Sequence, residues 1–174
     1  LASNEDNKPE ESSNNVLARV DRDLFAIGIG ASAGGLEAIK QLVSGLKRPL
    51  NAVCIIAQHI SPEHKTLLPD IIARETSLDV VEAQAGMPLK ANTIFTSPPG
   101  VNIVIDADHK IALEDGEKAG EFIHPSIDKL FASLAKHKRE KAIAILLSGS
   151  GSDGALGIEA VSNANGVTLS LIHI

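Results

Sequence analysis

The sequence contains no Trp and no Tyr, and only four Phe, one Met and one Cys in 174 residues. Without aromatic rings there is no platform on which bases stack, and a net charge of −6 leaves no cationic excess to hold a phosphate backbone. Nucleic acid is therefore not expected as a partner. The single cysteine, Cys54, excludes an internal disulfide, and no apolar run reaches the length of a membrane span. No basic-then-apolar leader precedes the first predicted strand, so export is not indicated, and a soluble, cytoplasmic chain without membrane insertion is expected.

What the chain does have is aliphatic: 44% of it is hydrophobic, mostly Ala, Ile, Leu and Val. That suffices for one domain with a closely interdigitated core, of the kind that suits a buried parallel sheet. Residues 1–23 are rich in Asn, Ser, Glu, Asp and Lys, too polar to offset the entropy of ordering, and are expected to be a disordered linker. A start at Leu1 with no Met reads as a fragment or a domain cut from a larger polypeptide.

Beyond the linker, buried strands alternate with amphipathic helices. Leu24–Gly30 is an apolar run ending in glycines, followed by helical spacing over Leu36–Leu46. Ala52–Ala57 is apolar throughout, and a loop with Ser61-Pro62 leads to a helix near Leu67–Glu75. Short strands are expected at Val80–Ala83 and Thr93–Thr96, a β-hairpin at Asn102–Asp106 and Lys110–Leu113, and a helix over Ser126–His137. Ala142–Leu147 then repeats the first unit: buried strand, glycine loop, and a helix from about Ala155. The alternation predicts an α/β fold, three-layered and doubly wound, with a mainly parallel sheet and helices on both faces. The final Leu169–Ile174, Leu-Ser-Leu-Ile-His-Ile, matches one frame of a widely used transposon-end sequencing adapter. The domain is thus expected to span 24–168 and to be truncated within a strand, with its sheet edge left open.

Open parallel sheets bind ligands beyond the carboxyl ends of their strands, and three polar residues follow predicted strands there. Ser32, in Gly30-Ala-Ser-Ala-Gly34, matches a nucleophile elbow whose small neighbours expose the hydroxyl, and the next helix aims free N–H groups at the same spot. His59 follows the second strand, where a neutral imidazole can take the serine proton; His64, His109, His124 and His137 do not directly follow a buried parallel strand. Asp153 lies in a Gly- and Ser-rich loop after Leu147 and can orient His59, although it can equally cap the helix at Ala155. His137, in a Lys-rich helix end, is placed where a positive charge suits the helix dipole. The same first glycines approximate a dinucleotide fingerprint, but Gln58 and His59 stand where that fold needs an acid. No P-loop Lys-Ser or Lys-Thr pair follows them, and no metal site is expected.

Gly28-Ile-Gly-Ala-Ser-Ala-Gly-Gly35, Gln58-His59, Pro98-Pro-Gly100, Pro125-Ser-Ile-Asp128 and Ser148-Gly-Ser-Gly-Ser-Asp-Gly154 together resemble the CheB-type receptor methylesterases of chemotaxis, from about Phe25 to Thr168. The resemblance implies a serine hydrolase of a two-component signalling system that needs no cofactor. Ser32 is then the nucleophile, His59 the base and Asp153 the orienting acid, with the backbone amides of Ala33 and Ser150 as oxyanion donors. The implied substrates are γ-glutamyl methyl esters on chemoreceptors, with deamidation of receptor glutamines in many members. Ser150 stands where many relatives have Met, a change a backbone donor tolerates. His124 replaces the family's Arg, and no receiver domain precedes the motifs. The wording of the motifs is closest to a subgroup fused to a receptor methyltransferase. An alternative reading is a catalytically weak module that keeps the fold to bind receptors or a fused partner.

Overall fold

The computed structural model describes residues 23–59, 67–115, 125–148 and 152–171. The expected linker, apart from Asp23, and residues 172–174 lie outside them. Among the described residues eight strands form: β1 (Phe25–Ala31), β2 (Ala52–Gln58), β3 (Asp79–Glu82), β4 (Thr93–Thr96), β5 (Val101–Ile105), β6 (Ile111–Asp115), β7 (Ala142–Ser148) and β8 (Val167–Ser170). Four helices accompany them: α1 (Leu36–Gly45), α2 (Leu68–Ala73), α3 (Ile127–Lys138) and α4 (Ala155–Asn163). Six strands make one sheet in the order β3-β4-β2-β1-β7-β8, every pair parallel, while β5 and β6 form the separate antiparallel hairpin.

The unbroken apolar runs of β1 and β2 arise because both faces of the sheet are covered. Successive side chains point to opposite faces. Ile27, Ile29, Cys54 and Ile56 meet Ile39 and Val43 of α1 and Leu68 and Ile72 of α2. Ala26, Val53, Ile55 and Ala144 meet Leu130, Phe131 and Leu134 of α3, Val161 of α4, and the hairpin residues Ile103, Ile105 and Ile111. This is the expected three-layer arrangement. The hairpin turn is held by Asp106, whose Oδ1 accepts from the amides of Asp108 and Lys110, each at 2.9 Å.

The first glycines have a packing role. A Cβ on Gly28 would sit 2.5 Å from Cδ1 of Leu134, and one on Gly30 would collide with Cγ2 of Ile127. Missing side chains on β1 therefore let α3 lie directly on the sheet, bringing its N-terminus to the carboxyl end of β1. The strand order also reverses at β1, which has β2 on one side and β7 on the other. Such a reversal opens a crevice at the carboxyl rim. Next to it, the β1–β7 ladder shifts register between Gly30 and Ala31, so that Gly30 pairs with Leu146 and Ala31 with Ser148. Irregularities of this kind bend a strand and re-aim the side chains at its end. At the far edge, β8 includes Leu169 and Ser170, and Val167 and Leu169 are more than half exposed.

Candidate active site

Ser32 follows β1 directly, in extended conformation, as the residue before a single 3-10 turn at Ala33–Gly35. The Gly35 amide closes that turn on the Ser32 carbonyl at 2.9 Å, and α1 starts immediately after it. His59 follows β2, and its amide donates to the carbonyl of Ala31 at 3.0 Å, which extends the β1–β2 ladder by one rung. The two residues thus leave adjacent strands at the same level. Asp153 comes in from the other side, on the loop after β7, whose Ser148 pairs with Ala31. Three segments far apart in sequence therefore converge on the crevice beside β1.

His59 Nε2 lies 2.8 Å from Asp153 Oδ2, with side chains 17% and 15% exposed. The Asp153 carboxylate also accepts from the amides of Ile127 at 2.8 Å and Asp128 at 2.9 Å, and from the Ser126 hydroxyl at 3.3 Å. Burial works to raise its pKa. The hydrogen bonds from His59, Ile127 and Asp128, together with the imidazole charge, outweigh burial and hold it at about 2. An ionised carboxylate can only accept, so in the neutral ring the proton sits on Nε2 and the lone pair on Nδ1. A neutral imidazole fixed in one tautomer by a buried acid is the arrangement a general base requires.

The expected alternative for Asp153, capping the helix at Ala155, is corrected by this geometry. The N-cap of α4 is Gly154, at φ 100°, with no side-chain cap bond. Asp153 instead serves the start of α3. The first two amides of that helix bind its carboxylate, and the third, on Lys129, donates to Ser126 Oγ at 3.3 Å. Helix N-termini present such unpaired donors and favour a negative charge. The contribution of Pro125-Ser-Ile-Asp128 was thus not visible as chemistry in the sequence, although a Ser ahead of an apolar helical run is an N-cap signal. Asn102, fully buried on β5, supports the same corner, its Oδ1 accepting from the Ser126 amide at 2.7 Å.

The remaining candidates fall as follows. The backbone of Ala33 lies in the turn at the head of α1, while Ser150, His64 and His124 lie outside the described residues. His109 sits in the hairpin turn at φ 57°. His137 is in the last turn of α3, but burial and the charge of Lys136 lower its pKa against the pull of Asp106. Both effects work against the favourable pull of the helix dipole on a positive charge at that end. Cys54 is buried in β2 and its thiol is pushed up to about 12 by burial, which makes it inert. Among the described residues no group of three His, Cys, Asp or Glu is placed to hold a metal ion. An open apolar groove of about 330 Å³, lined by Leu42, Ile145, Leu147, Leu169 and Leu171 among others, runs between α1 and the β7–β8 edge and includes none of Ser32, His59 and Asp153.

Comparison with known proteins adds three findings. The family model for the CheB methylesterase matches residues 27–171. A protein-glutamate methylesterase/protein-glutamine glutaminase of Paramagnetospirillum magneticum is 35% identical over 143 residues, covering 82% of this chain and 40% of the relative. One of the same name from Carboxydothermus hydrogenoformans is 33% identical over 162 residues, covering 90% of this chain and 47% of the relative. The chain thus spans less than half the length of these two relatives. The crystal structure of the Thermotoga maritima CheB methylesterase catalytic domain superposes with a TM-score of 0.73 at 21% identity, over 83% of this chain and 78% of that one. That last likeness is one of fold.

Proposed function

Because the chain belongs to the CheB methylesterase family, we propose that it is a serine hydrolase that demethylates γ-glutamyl methyl esters on chemoreceptors and deamidates receptor glutamines by the same route. The observation that carries this reading is the His59–Asp153 bond, which fixes the imidazole tautomer at the strand-order reversal where Ser32 emerges. Ser32 Oγ attacks the ester carbonyl carbon while His59 Nδ1 takes its proton. The amides of Ala33 and Ser150 receive the negative charge that forms on the carbonyl oxygen. Collapse returns the proton from His59 to the leaving methoxide, which departs as methanol and leaves an acyl-serine. Water, deprotonated by His59, then attacks the acyl carbon, and the glutamate carboxylate leaves as Ser32 recovers its proton. With an amide substrate, ammonia departs in place of methanol. Asp153, ionised down to about pH 2, faces the imidazolium in both halves of the reaction.

The proposed setting is the cytoplasm, where receptor glutamates lie, and the proposed neighbour is a receptor methyltransferase fused in the same polypeptide. No described helix is long and apolar enough to cross a membrane. Methanol release from methylated chemoreceptor membranes tests the activity. The wild-type protein is expected to release methanol, and Ser32→Ala to lower the rate by about 10⁴-fold or more. No release from a folded wild type would favour a receptor-binding module.

A further inference from the structure

Asp128 stands one residue into α3 and makes none of the contacts to His59 described above, yet it is tied to the same corner from the opposite direction. Its Oδ1 accepts from the amide of Gly157 at 2.6 Å. Gly157 lies in the first turn of α4. The exchange is therefore reciprocal: the first turn of α3 binds the carboxylate that precedes α4, and the first turn of α4 binds a carboxylate carried by α3. Gly157 makes the approach close enough, since a Cβ there would lie 2.5 Å from Phe131 Cβ and 3.2 Å from Asp128 Cα.

The clasp has a cost that a purely structural cap does not need. Burial first, and then the neighbouring charge of Asp153, raise the pKa of Asp128 against its hydrogen bonding to the backbone. Two carboxylates are held together where either helix start could have been capped by a neutral Ser, as Ser126 already caps Lys129. What the second carboxylate adds is a fixed place for the first turn of α4, which begins two residues after Asp153.

We propose that Asp128 is a positioning residue of this active site: by binding the Gly157 amide in the first turn of α4 it fixes the place of Asp153, and through Asp153 the orientation of His59. The inference rests on the functional reading above, but part of its test does not. Amide hydrogen exchange of Ile127, whose N–H is bonded to Asp153, reports the position of that carboxylate without any catalysis. In Asp128→Ala, Ile127 exchange is expected to quicken by about tenfold or more while the middle of α3 stays protected. Hydrolysis dependent on Ser32 is expected to lose on the order of ten- to a hundredfold in kcat with KM little changed. Asp128→Asn keeps an oxygen acceptor toward Gly157 and is expected to restore the Ile127 protection and most of kcat. Should the alanine variant not fold, Asp128→Glu, whose carboxylate is one methylene out of line, is expected to show the same exchange and kcat losses. Unchanged Ile127 exchange in a folded Asp128→Ala or Asp128→Glu variant overturns the proposal. A wild type without Ser32-dependent hydrolysis overturns the functional reading instead, and leaves the exchange result to decide on Asp128.

Discussion

At the scale of single residues, Asp153 and Asp128 are neighbours with opposite titration behaviour. The pKa of Asp153 falls from 3.8 to about 2 in the folded chain, so the folded form holds fewer protons than the unfolded one in that window. Its contribution, about 2 kcal/mol, is therefore fully present above about pH 4 and is lost as pH falls through 2. Asp128 is raised above 3.8, so the folded form keeps its proton longer, and stability declines as pH rises through its folded pKa. Urea unfolding of the wild type and Asp153→Asn is expected to show a gap in free energy that narrows by up to about 2 kcal/mol between pH 5 and pH 2. A gap of constant width would mean that the Asp153 carboxylate is not stabilised by its partners on folding.

Among the elements, the pairs that meet at glycine are the most exacting. Gly28 and Gly157 both face α3 residues at 2.5 Å from a built Cβ, but their neighbours differ in what they can yield. Gly28 meets the end of the Leu134 side chain, which can change rotamer. Gly157 meets Phe131 Cβ and the Asp128 backbone, which cannot move without the helix. Gly157→Ala is accordingly expected to destabilise by about 2–3 kcal/mol and Gly28→Ala by about 1–2, an order that thermal melting can check. Most of the elements were legible in the sequence. β1, β2 and β7 appear there as unbroken aliphatic runs because both of their faces are covered, and α3 through its apolar period. The hairpin was found from its polar turn, whose Asp106 closes it locally. Ser32, His59 and Asp153 were picked out by their places after strands, and the structure brings the last two into contact. What could not be read were the backbone partners of Asp153 on α3. Capping of α4 is a local pattern that sequence suggests, whereas its bonds to Ile127 and Asp128 depend on two helices packing through Gly157. Tertiary contacts of that kind leave no trace in periodicity.

For the molecule as a whole, the sheet has unequal edges. β3 at one end is short and ends in acids, Asp79 and Glu82, whereas β8 at the other carries exposed Val167 and Leu169 beside the apolar groove. An apolar edge of this kind templates pairing with other chains. Val167→Lys with Leu169→Lys is expected to reduce association at high concentration, measured by light scattering, while leaving Ser32-dependent activity intact. The position of β1 has a further consequence, for synthesis. Among the described strands it is the first to leave the ribosome, and one of its two neighbours, β7, comes more than a hundred residues later. At roughly 5–20 residues per second, about 6–25 s separate the two. For that interval the nascent chain carries its most central strand with one side open. Whatever shields it in the cell, a chaperone or the translation pace itself, has to act during those seconds.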